Sequence, residues 1–235
     1  MNRVFTFEVI PQPDFWIGPV PVTRTIWMTW IVMTVLIVLA LVARRQLLRP
    51  GIGWLQNVFE AFMEYLDAQI REIIRRPPER YFPLIATLFI FILFANLVAT
   101  MPRMVSPTAD IATTSALALV VFLAVPAYGI ADRGLGDYLG QYLKPMWIML
   151  PFNIVGELSR TLAMSVRLFG NMMSGAVIVG VLVFVGGILA VPIGLLGLLT
   201  GVIQAYIFAV LAMVYIGGAV RASARERREE TEEGA

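Results

Sequence analysis

From Met146 to Val220 the chain runs for 75 residues with three charged side chains, Glu157, Arg160 and Arg167, and none between Leu168 and Val220. One bilayer crossing takes about 20 residues. The block must therefore divide into three ordinary spans or two long tilted ones. It also carries an electrostatic problem. An arginine at membrane depth costs roughly 2.5–3.5 kcal/mol on insertion scales. A guanidinium, with a pKa above about 12, cannot shed its proton as a lysine can. Arg167 either snorkels to a surface, faces a wet cavity, or meets a carboxylate supplied by another chain, because nothing nearby in the sequence neutralises it.

A soluble domain carries about 25% charged residues. Here the figure is 14%, with 59% hydrophobic residues and a mean hydropathy of +0.80. The expected fold class is all-α, a polytopic membrane protein forming one membrane domain over residues 1–235. The net charge of +2 is small, and the basic residues cluster beside apolar spans, which suits membrane topology and not nucleic acid. The absence of cysteine excludes disulfides, thiolate metal sites and cysteine nucleophiles. The absence of histidine removes the commonest metal ligand and the only side chain that titrates near pH 7 unperturbed. No cofactor and no metal are expected. No signal peptide is evident, since the first apolar run lacks a basic region directly before it.

Residues 1–24 read as an irregular or interfacial external lead, rich in Pro11, Pro13, Pro19, Pro21 and aromatic side chains. The first span is expected over 25–43, with Trp27 and Trp30 in the aromatic belt. Arg44 and Arg45 follow at once, which puts that end in the cytoplasm and the N-terminus outside. Residues 51–76 alternate apolar and charged positions at helical spacing and predict an amphipathic helix, on the inner surface or leading into the next span. Further spans are expected over 81–101, which contains Asn96, and 111–130. A short inner loop follows around Asp132, Arg133 and Asp137, and Lys144-Pro145 precedes the last apolar block. The charged segment 221–235 reads as a disordered cytoplasmic tail. With the N-terminus out and the C-terminus in, the number of crossings is odd. Three early spans and a two-helix hairpin over 146–220 make five. Gly186-Gly187 lies midway between Arg167 and Gln204, so a turn there sets the two at matching heights.

The run Glu157-Leu-Ser-Arg160-Thr-Leu-Ala-Met-Ser165-Val-Arg167-Leu-Phe-Gly-Asn171-Met172 resembles the signature of subunit a of F-type ATP synthases. That family has a basic residue seven positions before an essential arginine, then Ser-x-Arg-Leu-Phe-Gly-Asn-Met. Three further motifs lie in matching order: Asn96-x5-Pro102, Pro107-Thr-Ala-Asp110 followed by Thr113, and Gln204-Ala-Tyr206-Ile-Phe208 followed by Tyr215. Together they cover about residues 81–216.

The resemblance implies that Arg167 faces a rotor ring of c subunits, each with a mid-membrane carboxylate, and that Gln204 sits beside it on the partner helix. It implies a tilted hairpin wrapped on that ring, a peripheral stalk of b subunits, attachment to the F1 sector, and a bacterial inner membrane with lipid around the chain. The ion-translocating residues are then Arg167, Gln204, Asn171, Ser174, Glu157, Arg160, Asn96 and Asp110. Proton or Na⁺ movement through two half-channels would drive the ring and so ATP synthesis or hydrolysis, with no catalysis by this chain alone. Gly170, Gly175 and Gly180 would permit close packing on the ring.

The chain departs from the family at two positions. Many members have a glutamate nine residues after the arginine and a histidine seven before the glutamine; here those positions hold Ala176 and Gly197. Losing one alone would strand the other in apolar surroundings, so their joint absence is coherent. It points to a divergent branch such as the N-type ATPases, and leaves the outer path to Asn96, Asp110, Thr113, Asn171 and Ser174 with water.

Two other functions compete. A secondary transporter or channel acting alone needs its own exchangeable intramembrane carboxylate, and none occurs between Glu157 and the tail. An intramembrane enzyme needs a nucleophile–base pair or a metal cluster, for which this chain has neither histidine nor cysteine.

Overall fold

The computed structural model describes residues 13–17, 20–47, 54–99, 104–133, 150–185, 187 and 190–233. The expected turn residue Gly186, the end of the second span with Pro102 and Arg103, and the loop containing Asp137, Lys144 and Pro145 lie outside them. The described chain is helical apart from a two-stranded antiparallel ribbon, β1 (Pro13–Ile17) and β2 (Val20–Thr23). That ribbon replaces the irregular lead expected for this segment. Apart from Asp14 its residues are β-branched, aromatic or proline, and two strands separated by two residues form the shortest antiparallel connection.

Six helices follow: α1 (Arg24–Leu47), α2 (Trp54–Ile74), α3 (Phe82–Val98), α4 (Ile111–Arg133), α5 (Leu150–Val185) and α6 (Ala190–Glu233). Four of them, α1, α4, α5 and α6, are long and apolar enough to cross a membrane, and α3 is a shorter apolar helix of 17 residues. These are the five expected crossings. The tail departs from expectation: α6 continues as helix to Glu233. Residues 222–233 are mostly Ala, Arg and Glu, all strong helix formers, so the helix propagates past the apolar segment instead of unravelling.

Local chemistry ends each helix. Arg75 turns to a positive φ of 57° after α2, and Pro77 and Pro78 prevent the helix resuming before a short 3₁₀ turn. Ser106 caps a second 3₁₀ turn, Pro107–Ala109, by accepting a hydrogen bond from the Thr108 amide. Asp110 then accepts from the Ala112 amide at 2.9 Å and so starts α4.

The core lies where α3, α4, α5 and α6 meet: Leu88, Ile92, Ala118, Val121, Met164, Leu168, Ala205, Phe208 and Ala212 form one buried cluster. A second cluster joins Ile70 and Ile74 of α2, Tyr81, Ile85 and the α6 residues Ala209, Met213, Ile216 and Val220. The amphipathic α2 is therefore packed in the body of the protein along its apolar stripe. The helices come close at Gly217, where a Cβ would stand 3.4 Å from the Ile73 carbonyl oxygen and from the Ile74 Cα. At the same end Arg80 bonds Asp132 at 2.8 Å, tying the start of α3 to the end of α4.

The hairpin outreaches this core. Ser115, in the first turn of α4, meets Ser165 at mid-α5, and Asn96 near the end of α3 meets Gly201 of α6. From those contacts α5 runs on for about 30 Å of helix and α6 for about 17 Å to their turn. That turn contains Gly187 at φ 72°, whose amide donates to the Leu182 carbonyl. Val181, Val183, Val191, Leu195, Leu196 and Leu199 on this extension are each at least half exposed. Upright, it would push these side chains out of hydrocarbon; a tilted hairpin keeps them in it.

Candidate functional site

Arg167 stands at the middle of α5, with about 26 Å of helix on either side. Its side chain is on the exposed face of the helix. The ion pairs among the described residues are Arg71–Asp67 and Arg80–Asp132, and neither involves it. Arg160, Ala163, Gly170 and Ser174, at spacings of three, four and seven residues, share its side and are exposed. Leu158, Leu162 and Val166, exposed by 50%, 56% and 56%, lie about 100–180° further round the helix. On adjoining α6, Leu199 and Ile203 are exposed as well. Arg167 thus stands on a side of α5 that this chain leaves uncovered, among small residues and with Arg160 nearly two turns away. Leu168, the next residue, is fully buried in the core, so packing of Leu168 inward orients Arg167 outward.

Gln204 takes the opposite orientation and is buried. The segments holding the two residues run side by side: toward the turn Met172 lies against Gly201, and on the other side Arg160 lies over Tyr215. The two residues thus sit on adjoining helices, with Gln204 buried and Arg167 exposed.

Two strings of buried polar groups converge on this level. In the first, Thr25 donates to Asp110 Oδ2 at 2.6 Å, Thr114 bonds the Asp110 carbonyl, and Ser165 reaches Thr114 at 3.4 Å and Ser115 at 3.0 Å. It ends two residues from Arg167. In the second, Ser106 and Thr108 share a 2.7 Å hydrogen bond, Thr108 donates to Asn96 Oδ1, and Asn96 donates to the Gly201 carbonyl at 2.7 Å. It ends three residues from Gln204. Both strings start in the segment 104–115, which packs on α5.

The remaining residues singled out from sequence are spread along α5. Asn171, one turn beyond Arg167, has a buried Nδ2 without a partner, the only such atom among the described residues. An unpaired amide in a polar neighbourhood is where water would be expected. Ser174 is exposed and bonds back to the Asn171 carbonyl. Glu157 is half-buried, and its carbonyl accepts from Thr161. Arg160 is exposed, with its guanidinium 5.7 Å from the Tyr215 ring centroid. Thr113 is half-buried. Ala176 is exposed, and a Cβ at Gly197 would meet nothing within 4 Å, so neither position is crowded. Gly170 and Gly175 are equally open, on the side where nothing of this chain packs.

Sequence reasoning missed Thr25, Ser106, Thr114, Ser115 and Ser165 as members of the site. Each looks like an ordinary hydroxyl at a helix end or in an apolar run. Only the pairing of α1, α4 and α5 reveals what it bonds.

These features define a polytopic helical membrane protein with an exposed arginine midway along a long apolar helix and two strings of buried polar groups among the neighbouring helices. The family model for the ATP synthase A chain matches residues 26–217. Similar relatives are ATP synthase subunit a 2 of Acaryochloris marina, 49% identical over 88% of this chain and 90% of its own length. ATP synthase subunit a 1 of Chlorobium luteolum is 50% identical over 87% and 93%. ATP synthase subunit a of Albidiferax ferrireducens is 46% identical over 89% and 94%. The chain belongs to the ATP synthase subunit a family.

Proposed function

We propose that this chain is the ion-translocating stator subunit of a rotary ATP synthase, with Arg167 as its electrostatic gate and no catalytic step of its own. The observation that carries this reading is the position of Arg167. It lies mid-helix, far from either end of an otherwise apolar span, on an exposed face, and in no ion pair among the described residues. A cation in that position needs a counter-charge that its own chain does not supply. A ring of c subunits, each with a mid-membrane carboxylate, supplies one in motion.

The coupling follows from charge physics. A rotor carboxylate holding its ion is neutral and passes through lipid at little cost; a bare carboxylate is expensive there. Beside Arg167 the bare form gains about 4 kcal/mol at roughly 4 Å with an effective dielectric near 20. The ion therefore leaves at that point and nowhere else along the ring. The fixed positive charge also separates the two half-channels and prevents a direct leak. Each elementary charge crossing about 100 mV delivers about 2.3 kcal/mol to rotation.

For the outer half-channel, the polar strings through Asp110, Thr114 and Ser165 and through Thr108 and Asn96 support a wet approach ending at Asn171, with Ser174 at its margin. Such a route uses no histidine or intramembrane glutamate, which fits Ala176 and Gly197. Glu157 and Arg160 belong to the inner side, and Gln204 backs the gate from within the core. The ring, b subunits and an F1 sector are the partners. The reading sets the chain in a bacterial inner membrane, N-terminus outside and C-terminus in the cytoplasm, because Arg44, Arg45, Arg75, Arg76 and Arg80 all border one side of the spans.

ATP-driven ion uptake into inverted vesicles, with and without Na⁺, tests the assignment. Arg167→Ala abolishes coupled uptake while the complex still assembles. Coupled uptake retained by that variant would refute it, and ion flux by the purified chain alone would favour a free-standing transporter. Na⁺-dependent uptake would mark a sodium-coupled motor.

A further inference from the structure

Resting on the gate assignment for Arg167, we propose that Tyr215 is a specificity-determining residue: its ring holds the Arg160 guanidinium against α6, so that Arg167 is the cation presented to the rotor. The two arginines are seven residues apart on α5. Seven residues are nearly two full turns, so both project from almost the same side of the helix, about 10 Å apart along its axis. Both are exposed. A passing carboxylate would therefore meet two guanidinium groups in sequence, and a second attractive site would hold the rotor away from the gate. The two side chains are treated differently. Arg160 lies over the face of Tyr215 at 5.7 Å from the ring centroid, within the range at which a cation is held by the ring quadrupole. Tyr215 is itself packed against the buried cluster formed by α3 to α6, so the ring is a fixed surface and cannot follow the arginine outward. Glu157, one turn before Arg160, adds a carboxylate on the same side of the helix. Arg167 has no such ring in contact among the described residues.

The test uses the whole complex in inverted vesicles and reads ions moved per ATP hydrolysed. Tyr215→Leu frees Arg160 and lowers that ratio several-fold, while Tyr215→Phe, which keeps the ring face, retains it. Adding Arg160→Gln to Tyr215→Leu raises the ratio again, to the level of Arg160→Gln alone, because the stray cation is gone. A packing role for Tyr215 predicts no such relief. The proposal is overturned if Tyr215→Leu couples normally, or if the double variant is no better than Tyr215→Leu. Arg167→Ala in the same preparation separates the two readings. Coupling that survives it refutes the gate, whereas lost coupling together with no relief in the double variant refutes only the role of Tyr215.

Discussion

The side-chain amide of Asn96 donates to the backbone carbonyl of Gly201 at 2.7 Å, joining α3 to α6 one turn before Gln204. A Cβ at Gly201 would stand 3.0 Å from Asn96 Cβ and 3.1 Å from Met172 Cε, so glycine is what allows the helices this close. Gly201→Ala is expected to push α3 off α6 and to lower the thermal stability of the complex in detergent. Gly197→Ala, one turn away with nothing within 4 Å of the new Cβ, is expected to be neutral or slightly stabilising, since alanine is the better helix former by up to about 1 kcal/mol. Equal melting behaviour of the two variants would contradict this packing.

Asn96 also accepts from Thr108, so the amide is bonded at both ends. Asn96→Leu removes two buried hydrogen bonds at once, from Thr108 and to the Gly201 carbonyl, and with the second the tie between α3 and α6. The Thr108 hydroxyl keeps Ser106 as a partner. Thr108→Val removes the bonds to Asn96 Oδ1 and to Ser106 but keeps the Asn96–Gly201 bond that joins α3 to α6. Interhelical bonds of that kind are worth about 0.6 kcal/mol on average inside membranes. Denaturation in graded detergent should therefore rank Asn96→Leu well below Thr108→Val.

Ser115 and Ser165 hold their hydroxyl oxygens 3.0 Å apart across α4 and α5. Because the chain has no cysteine of its own, the pair Ser115→Cys and Ser165→Cys can be oxidised without background. Rapid disulfide formation on mild oxidation is the expected result. Cross-linking no faster than for two cysteines placed on opposite sides of the bundle would show the register to be wrong.

α1 is held weakly. Only 6% of its apolar window is buried in the chain, and Val32 and Thr25 are its buried side chains. Thr25→Val removes the donor to Asp110 Oδ2 while keeping shape. Faster hydrogen exchange over residues 104–115 is the expected consequence, since Asp110 also caps α4. Unchanged protection there would mean that Asp110 needs no help from α1.

By contrast, Arg80 and Asp132 form a well-shaped pair whose arginine is 47% exposed. Such pairs are worth about 0–1 kcal/mol. Asp132→Asn should shift stability far less than Asn96→Leu in the same assay.

Much of this protein is legible before any fold is known. The charge-free run after Arg167 forces membrane-spanning helix, because open backbone cannot be satisfied in lipid, and leaves only the number of crossings open. The motif around Arg167 names the family and its central cation. The glycine pair after α5 marks the turn, and Gly187 adopts the left-handed conformation that glycine alone tolerates easily. The tail is the exception: its charge points to disorder, whereas its Ala, Arg and Glu carry α6 on to Glu233.

Other features required the third dimension. Periodicity along one helix cannot say which neighbour covers it, so the burial of α2 against α6 was not readable from its pattern. Which way Arg167 and Gln204 point depends on Leu168 and Phe208 filling a core shared by four helices. The two polar strings join residues up to 105 positions apart, and no local signal distinguishes a serine that lines such a string from one that merely ends a helix. Sequence settles which groups must be buried in lipid, because transfer energies are properties of single residues and short runs. Tertiary structure decides which of those groups meet, because hydrogen bonds and close packing depend on distances that the order of residues does not contain.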